Sequence, residues 1–265
     1  MFDKTSDALN PRWHISEIGS GRVINALNDE TGSAYTVSLS ITPIAGYTNA
    51  QITDYDYQTW GFQWRPPLKL TVIAHTRASD QRLVGTAGFG FWNHPLSPDV
   101  RRLPRLPAAI WFFYGAPPTD LQFALGIPGH GWKAAVIDAA HARAVCLAPF
   151  APALMMAMRV PRLYPHIYRR VQRLLRISEA ALPDHLLFER HTYEIEWRTD
   201  GARFLVDDQI VHESPYAPTG ALGFIAWMDN QYMVATPQGR FRWGVTSLEG
   251  EQSLMIESVH ILKKG

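Results

Sequence analysis

The sequence predicts an all-β protein of one domain, interrupted by a short amphipathic helical insert. Three observations carry that prediction. Runs rich in Val, Ile, Thr, Tyr, Phe and Trp recur along the 265 residues, separated by Pro, Gly and Asn turn signals. Several runs are apolar at nearly every position, as strands covered on both faces are. One stretch, about 150–183, switches to helical spacing. All-β units commonly reach this length, and no internal repeat or low-complexity linker divides the chain, so 1–265 reads as a single domain.

Taken in order, SAYTVSLSI, AQITDYDY and LKLTVIAHTR read as antiparallel strands between residues 22 and 83. GTAGFGFWN, AAIWFFYGA, LQFALGI and KAAVIDA follow and belong in the middle of the sheets. Gly85, Gly88 and Gly90 weaken a strand unless the backbone is approached closely, so a bulge or a crowded floor is expected there. In the insert, Ile167, Val171, Leu174 and Leu175 share one helical face while Arg169, Arg170, Arg173 and Arg176 lie largely off it, which predicts a helix over 166–177. Pro161 and Pro165 disfavour an unbroken helix upstream, so LMMAMRVPRLYP reads as a short helix or loop. After Pro183 strands resume as HTYEIEWR, ARFLVDD, QIVHES, GALGFIAWMDN and SLMIESVHIL, with hairpin turns at RTDG and DDQ.

Composition excludes several classes. With 12% aromatic and 18% charged residues the chain suits a packed core rather than intrinsic disorder. A net charge of +1 gives no overall field to recruit nucleic acid, so any basic surface is local. The lone Cys146 forms no intramolecular disulfide and is expected to be a small core hydrophobe. The first residues lack a signal-peptide core and no stretch approaches the roughly 20 apolar residues of a spanning helix, so the expected location is cytoplasmic.

The segment HTYEIEWRTDGARFLVDDQIVHESPYAPTGALGFIAWMDNQ resembles the second half of the family 16, laminarinase-like glycoside hydrolases. In that family a strand ending in Glu-Trp is followed by a polar turn, a strand closing on Val-Asp, a second hairpin arm and a cleft strand. GFGFWNHP is similar to the family's tryptophan-bearing cleft strand, and MIESVHI to its last strand, where an Asp takes the place of Glu257. Together these span about 85–261, the insert excepted. The resemblance implies a two-sheet antiparallel jelly-roll sandwich of concanavalin A-like type, with one sheet curved into a ligand cleft. It also implies a structural calcium near the last strand, for which Glu257 is the candidate. The departure is on AAIWFFYGA, which matches the family's catalytic strand yet has no carboxylate. Retaining hydrolysis needs two carboxyl groups about 5 Å apart, so the inherited chemistry is expected to be absent.

Candidate site residues follow from chemistry. Trp92, Trp111, Tyr114, Trp132, Trp227 and Tyr232 offer flat faces, and Asn93, His130, Lys133, Asp229 and Asn230 stand beside them as polar partners. Such a lining suits carbohydrate or another small flat ligand, with Trp92, Asn93, Trp111, His130, Trp227 and Asn230 foremost. A core layer accounts for Trp111 and Trp227 as well. A second reading is an enzyme of different chemistry on a small, partly apolar substrate, with His130 and Asp54 or Asp229 as acid and base in a pocket roofed by the insert. Asp54 and Asp56 share one strand face, as do Glu194 and Glu196, the latter pair reading most simply as a solvated outer face. A third reading is a scaffold or membrane-associated protein whose basic insert is the contact surface. Ten histidines without ligand spacing and one cysteine give no transition-metal site, and no cofactor motif is present. A long groove would favour polysaccharide, whereas a closed cavity would favour a small apolar ligand.

Overall fold

Alternation along each strand sorts the side chains onto two faces, and that sorting builds the architecture. The structure, a computed structural model, describes residues 13–27, 35–56, 59, 61–95 and 105–263. In chain order the strands begin with β1 (His14–Ile18), β2 (Arg22–Leu27), β3 (Tyr35–Ile41), β4 (Asn49–Thr53) and β5 (Leu68–Ala78). Next come β6 (Thr86–Trp92), β7 (Ala108–Gly115), β8 (Asp120–Leu121) and β9 (Gly131–Asp138). The helices α1 (Ala142–Val145), α2 (Ala151–Ala157) and α3 (Tyr164–Leu174) precede β10 (Ser178–Leu182), β11 (His191–Trp197), β12 (Ala202–Val206) and β13 (Gln209–Ser214). The chain closes with β14 (Gly223–Asp229), β15 (Gln231–Ala235), β16 (Phe241–Val245) and β17 (Gln252–Lys263).

Two seven-stranded sheets form, β1-β4-β14-β6-β7-β9-β10 and β13-β12-β11-β5-β17-β3-β2, together with a small third sheet β16-β15-β8. All pairings in the two large sheets are antiparallel. β5 shows the sorting most simply, burying Leu68, Leu70, Val72 and Ala74 while intervening side chains reach the surface. Across the dry layer, Phe89 and Phe112 of the first sheet meet Tyr193 and Phe204 of the second, with ring centroids 5.0–5.3 Å apart. The predicted antiparallel two-sheet sandwich is therefore the observed one, and the type of hairpin turn at Asp207–Asp208 is visible in positive φ angles of 47° and 64°.

Several predicted elements differ. LQFALGI pairs only through Asp120–Leu121; beyond it a turn at Ala124–Ile127 and Gly126 at φ +83° break the extended path. Its apolar side chains pack as a loop on the outer face of the first sheet. The insert's helices start at Ala142, α3 runs Tyr164–Leu174 instead of 166–177, and Ser178–Leu182 is an edge strand paired with β9. Cys146 is exposed in the helical segment, not in the core. Glu194 is not solvated: β11 lies between β12 and β5, and Glu194 is buried against the Lys69 ammonium at 2.6 Å.

Candidate functional site

The outer face of the first sheet, turned away from the second, collects its chemistry by register. One row runs Gln51, Trp227, Gly88, Phe113, Lys133 and Ala181; the next runs Thr53, Ile225, Gly90, Trp111, Ala135 and Glu179. Trp111 lies 5.4 Å from Trp227 and 5.7 Å from both Trp92 and Phe113, centroid to centroid, so three of the predicted tryptophans form one continuous surface. The glycines of β6 make room for it. A Cβ on Gly88 would stand 2.8 Å from the Trp227 ring and 2.4 Å from the Phe112 carbonyl, and one on Gly90 would stand 2.6 Å from the Trp111 Cα. Trp92 Nε1 donates to the Tyr55 hydroxyl at 2.6 Å and Trp227 Nε1 to Thr86 Oγ1 at 2.9 Å. The outer-face positions of β7 are Ala109, Trp111, Phe113 and Gly115, so no carboxylate stands there.

Most of the expected polar partners are engaged elsewhere. Asn93 is buried, donating to the Leu106 carbonyl and accepting from Ala108 N, which closes the chain between β6 and β7. Asn230 is buried and ties together Thr48, Gly46 and Thr246. Tyr114 and Trp132 point into the layer between the sheets, because their positions on β7 and β9 have the opposite parity to Trp111 and Lys133. His130 is exposed in the turn before β9 and is not brought to Asp54 or Asp229. Asp54 accepts from Trp64 Nε1 and from Phe224 N at 2.8 Å, and burial raises its pKa. Asp229 Oδ1 accepts from Thr86 Oγ1 at 2.8 Å, Gln231 N at 3.0 Å and Thr86 N at 3.2 Å; burial outweighs these bonds and pushes its pKa up to about 7. Glu257 is held by the Arg190 guanidinium at 2.8 and 2.9 Å. Among the described residues no group of three or more His, Cys, Asp or Glu is placed to hold a metal.

Two covers lie over the outer face. The third sheet brings Leu121, Met233 and Ala235 down onto Phe113, Ile225 and Trp227, leaving Trp227 only 7% exposed. The insert lies over the β9 side. There it overhangs a half-open cavity of about 360 Å3 whose floor is Ile137, Ala139 and Phe123. Ala151, Leu154, Met155 and Met158 of α2 and its C-terminal end form one wall, and Tyr168, Val171 and Leu175 of α3 and its end form another. Ala235, Thr236 and Pro237 complete it. α3 is fastened by specific bonds: Tyr168 OH to the Phe123 carbonyl at 2.6 Å, Leu125 N to Gln172 Oε1 at 3.0 Å, and Arg176 to Asp138 at 2.9 Å.

Beside this cavity, under the loop after β8, lies a buried ion pair. Lys133 Nζ is 3.8 Å from Glu179 Oε2, and both side chains are almost fully enclosed. Ala124 N donates to Glu179 at 3.0 Å and Lys133 donates to the Leu121 carbonyl at 3.3 Å. Burial pushes Glu179 up to about 7 and lowers Lys133, each drawn toward neutrality. Sequence reasoning named Lys133 only as a neighbour of Trp132 and missed Glu179. A single lysine inside the apolar run KAAVIDA was the available signal.

No protein-family model and no curated relative matches the chain. Solved structures align along nearly all of it. One is the catalytic domain of an endo-1,3-β-glucanase (laminarinase) from Thermotoga petrophila, with 13% identity and a TM-score of 0.46 over 98% of this chain and 94% of that one. Another is a legume lectin-like domain from Entamoeba histolytica, with 10% identity and a TM-score of 0.48 over 96% and 91%. A glycoside hydrolase family protein from Mycobacterium thermorestibile aligns at 11% identity and a TM-score of 0.47 over 97% and 95%. The likeness is one of sandwich arrangement and goes no further.

Proposed function

We propose that the chain binds a small, largely apolar ligand in the cavity between its helical insert and the outer face of the first sheet. The cavity carries this reading. At about 360 Å3 it falls within the range of small-molecule sites, and its walls come from separate elements that the insert draws together. The polar side chains in its lining are Gln122, Thr236 and Tyr168, and the Tyr168 hydroxyl is already bonded to the carbonyls of Gln122 and Phe123. A charged or hydroxyl-rich ligand would leave water there without replacement partners, whereas an apolar one removes these walls from water.

A second reading places carbohydrate or another flat ligand against Trp92 and Trp111, whose rings are half-buried rather than sealed. His94, half-buried beside Trp92, is the polar side chain on that surface, with the Tyr55 hydroxyl buried behind the two. Fluorescence titration separates the two. With a soluble fatty-acid probe, whose acyl chain enters while its carboxylate stays in water at the open side, saturable binding is expected, and Leu154→Trp, which fills the space, weakens it about tenfold, or ~1.4 kcal/mol. Binding unchanged by Leu154→Trp rejects the cavity. Oligosaccharide binding abolished by Trp111→Ala, with no uptake of the apolar probe, replaces the first reading by the second.

A further inference from the structure

We propose that α2 and the turn after it form a docking face for an anionic phospholipid surface. Ala151, Leu154, Met155 and Met158 recur at helical spacing and face the cavity. The exposed side chains here are apolar too: Met156 of α2 is 59% exposed, Phe150 just before it 64%, and Val160 and Leu163 after it 46% and 47%. A helix apolar on its solvent side as well as its packed side marks a contact surface.

Charge selects the partner. Residues 142–177 contain seven arginines and no Asp, Glu or Lys, in a protein whose net charge is only +1. The segment is therefore a local positive field on an otherwise acidic chain. Arg159 and Arg162 alternate with Val160 and Leu163, and Arg169, Arg170 and Arg173 are exposed along α3, whereas Arg176 is paired with Asp138. Apolar side chains interleaved with guanidinium groups match the boundary between acyl chains and phosphate headgroups. A second copy fits poorly, since a two-fold contact would set these arginines against themselves. Among the described residues no helix is long and apolar enough to cross a membrane, so the contact is interfacial. α2 would then have lipid on one side and the cavity on the other, giving an apolar ligand a short route inward. That route rests on the cavity reading; the docking does not.

The experiment is co-sedimentation of the full chain with vesicles of phosphatidylcholine alone and of phosphatidylcholine mixed with phosphatidylglycerol. Binding to the mixed vesicles only, falling with added salt, is expected. Arg159→Gln with Arg162→Gln should weaken it roughly fivefold per arginine. Phe150→Ser with Met156→Ser and Leu163→Ser should weaken it about tenfold or more. These side chains are exposed, so the urea midpoint of each variant serves as the folding control. No binding of the intact protein to mixed vesicles overturns the proposal, as does equal binding by every variant. An intact dimer that the serine variant dissolves, without vesicle binding, assigns the face to self-association instead. The soluble fatty-acid probe, measured without vesicles, reports on the cavity separately.

Discussion

Replacing Asp229 by asparagine tests whether burial holds this carboxyl neutral up to about pH 7. The amide would resemble the protonated acid, presenting one carbonyl oxygen to the donors from Thr86 and Gln231 and a donor at the second position. In the unfolded chain the carboxyl ionises near 3.8, while in the fold it keeps its proton to about 7. Between those values the folded state holds more protons, so its stability is full below the lower value and falls as pH rises to the upper one. At about 1.4 kcal/mol per pH unit, the whole window is worth about 4 kcal/mol. Some of that is already lost by about pH 5, so the stability advantage of Asp229→Asn should widen by roughly 3 kcal/mol between about pH 5 and about pH 8. Urea unfolding followed by tryptophan fluorescence measures it, and other titrating groups such as Glu179 largely cancel in the difference. A gap that stays constant across this range would mean that the three hydrogen bonds outweigh burial and that Asp229 is ionised throughout.

Trp227→Ala should cost about 3–5 kcal/mol of stability, because the ring is sealed between Gly88 and the third sheet; an unchanged urea midpoint would show the ring to be dispensable for packing. Lys133→Met or Glu179→Met alone should cost about 3–5 kcal/mol, and Lys133→Met with Glu179→Met clearly less than the two single losses combined; additive losses in the double-mutant cycle would refute a coupled pair. Purified protein should release no reducing sugar from β-glucans, given the outer-face positions of β7; release at glycosidase rates that Trp111→Ala abolishes would overturn this.

The fold was legible because apolar runs and turn residues specify strands locally. AAIWFFYGA and HTYEIEWR became β7 and β11 nearly end to end. β10 and β16 were not legible: SEAAL lacks β-branched residues, and FRWGV, though it holds Phe, Trp and Val, is only five residues long and broken by Gly244. For the site, the identity of Trp92, Trp111 and Trp227 as one surface followed from their residue type, but parity decided the others. A shift of one position sends Tyr114 and Trp132 to the core while Phe113 and Lys133 face outward, and a continuous apolar run gives no internal clue to that parity. Asn93, Asp229 and Asn230 look like ligand groups in sequence, yet each closes a strand end where backbone groups lack ladder partners.

The two covers over the outer face differ in a way that bears on function. Trp92, Trp111, Phe113, Trp227 and Ile137 are too apolar to be left facing water together, so the chain must cover them. The third sheet does this by direct packing, Leu121 and Met233 against Trp227 and Phe113. The insert instead stands off the sheet and leaves the cavity between. Its α3 side is fixed by bonds to Phe123, Leu125 and Asp138. Its α2 side is tied by the exposed bond from Arg159 Nε to the Gln238 carbonyl, at 3.2 Å, and by Met155 resting near Gly239. A wall tied by exposed contacts opens at lower free-energy cost than one held by several part-buried hydrogen bonds. On the proposed cavity reading, α2 is therefore the side expected to admit the ligand, and it is also the side on which Phe150, Met156 and Leu163 are exposed. A cystine joining α2 to the 236–240 turn, through Met155→Cys and Gly239→Cys, puts a side chain at φ +82°, so the reduced double variant is the reference; oxidation should slow its uptake of the fatty-acid probe by at least about tenfold, and reduction should restore it. Uptake at the same rate in both redox states would place the entrance elsewhere on the cavity.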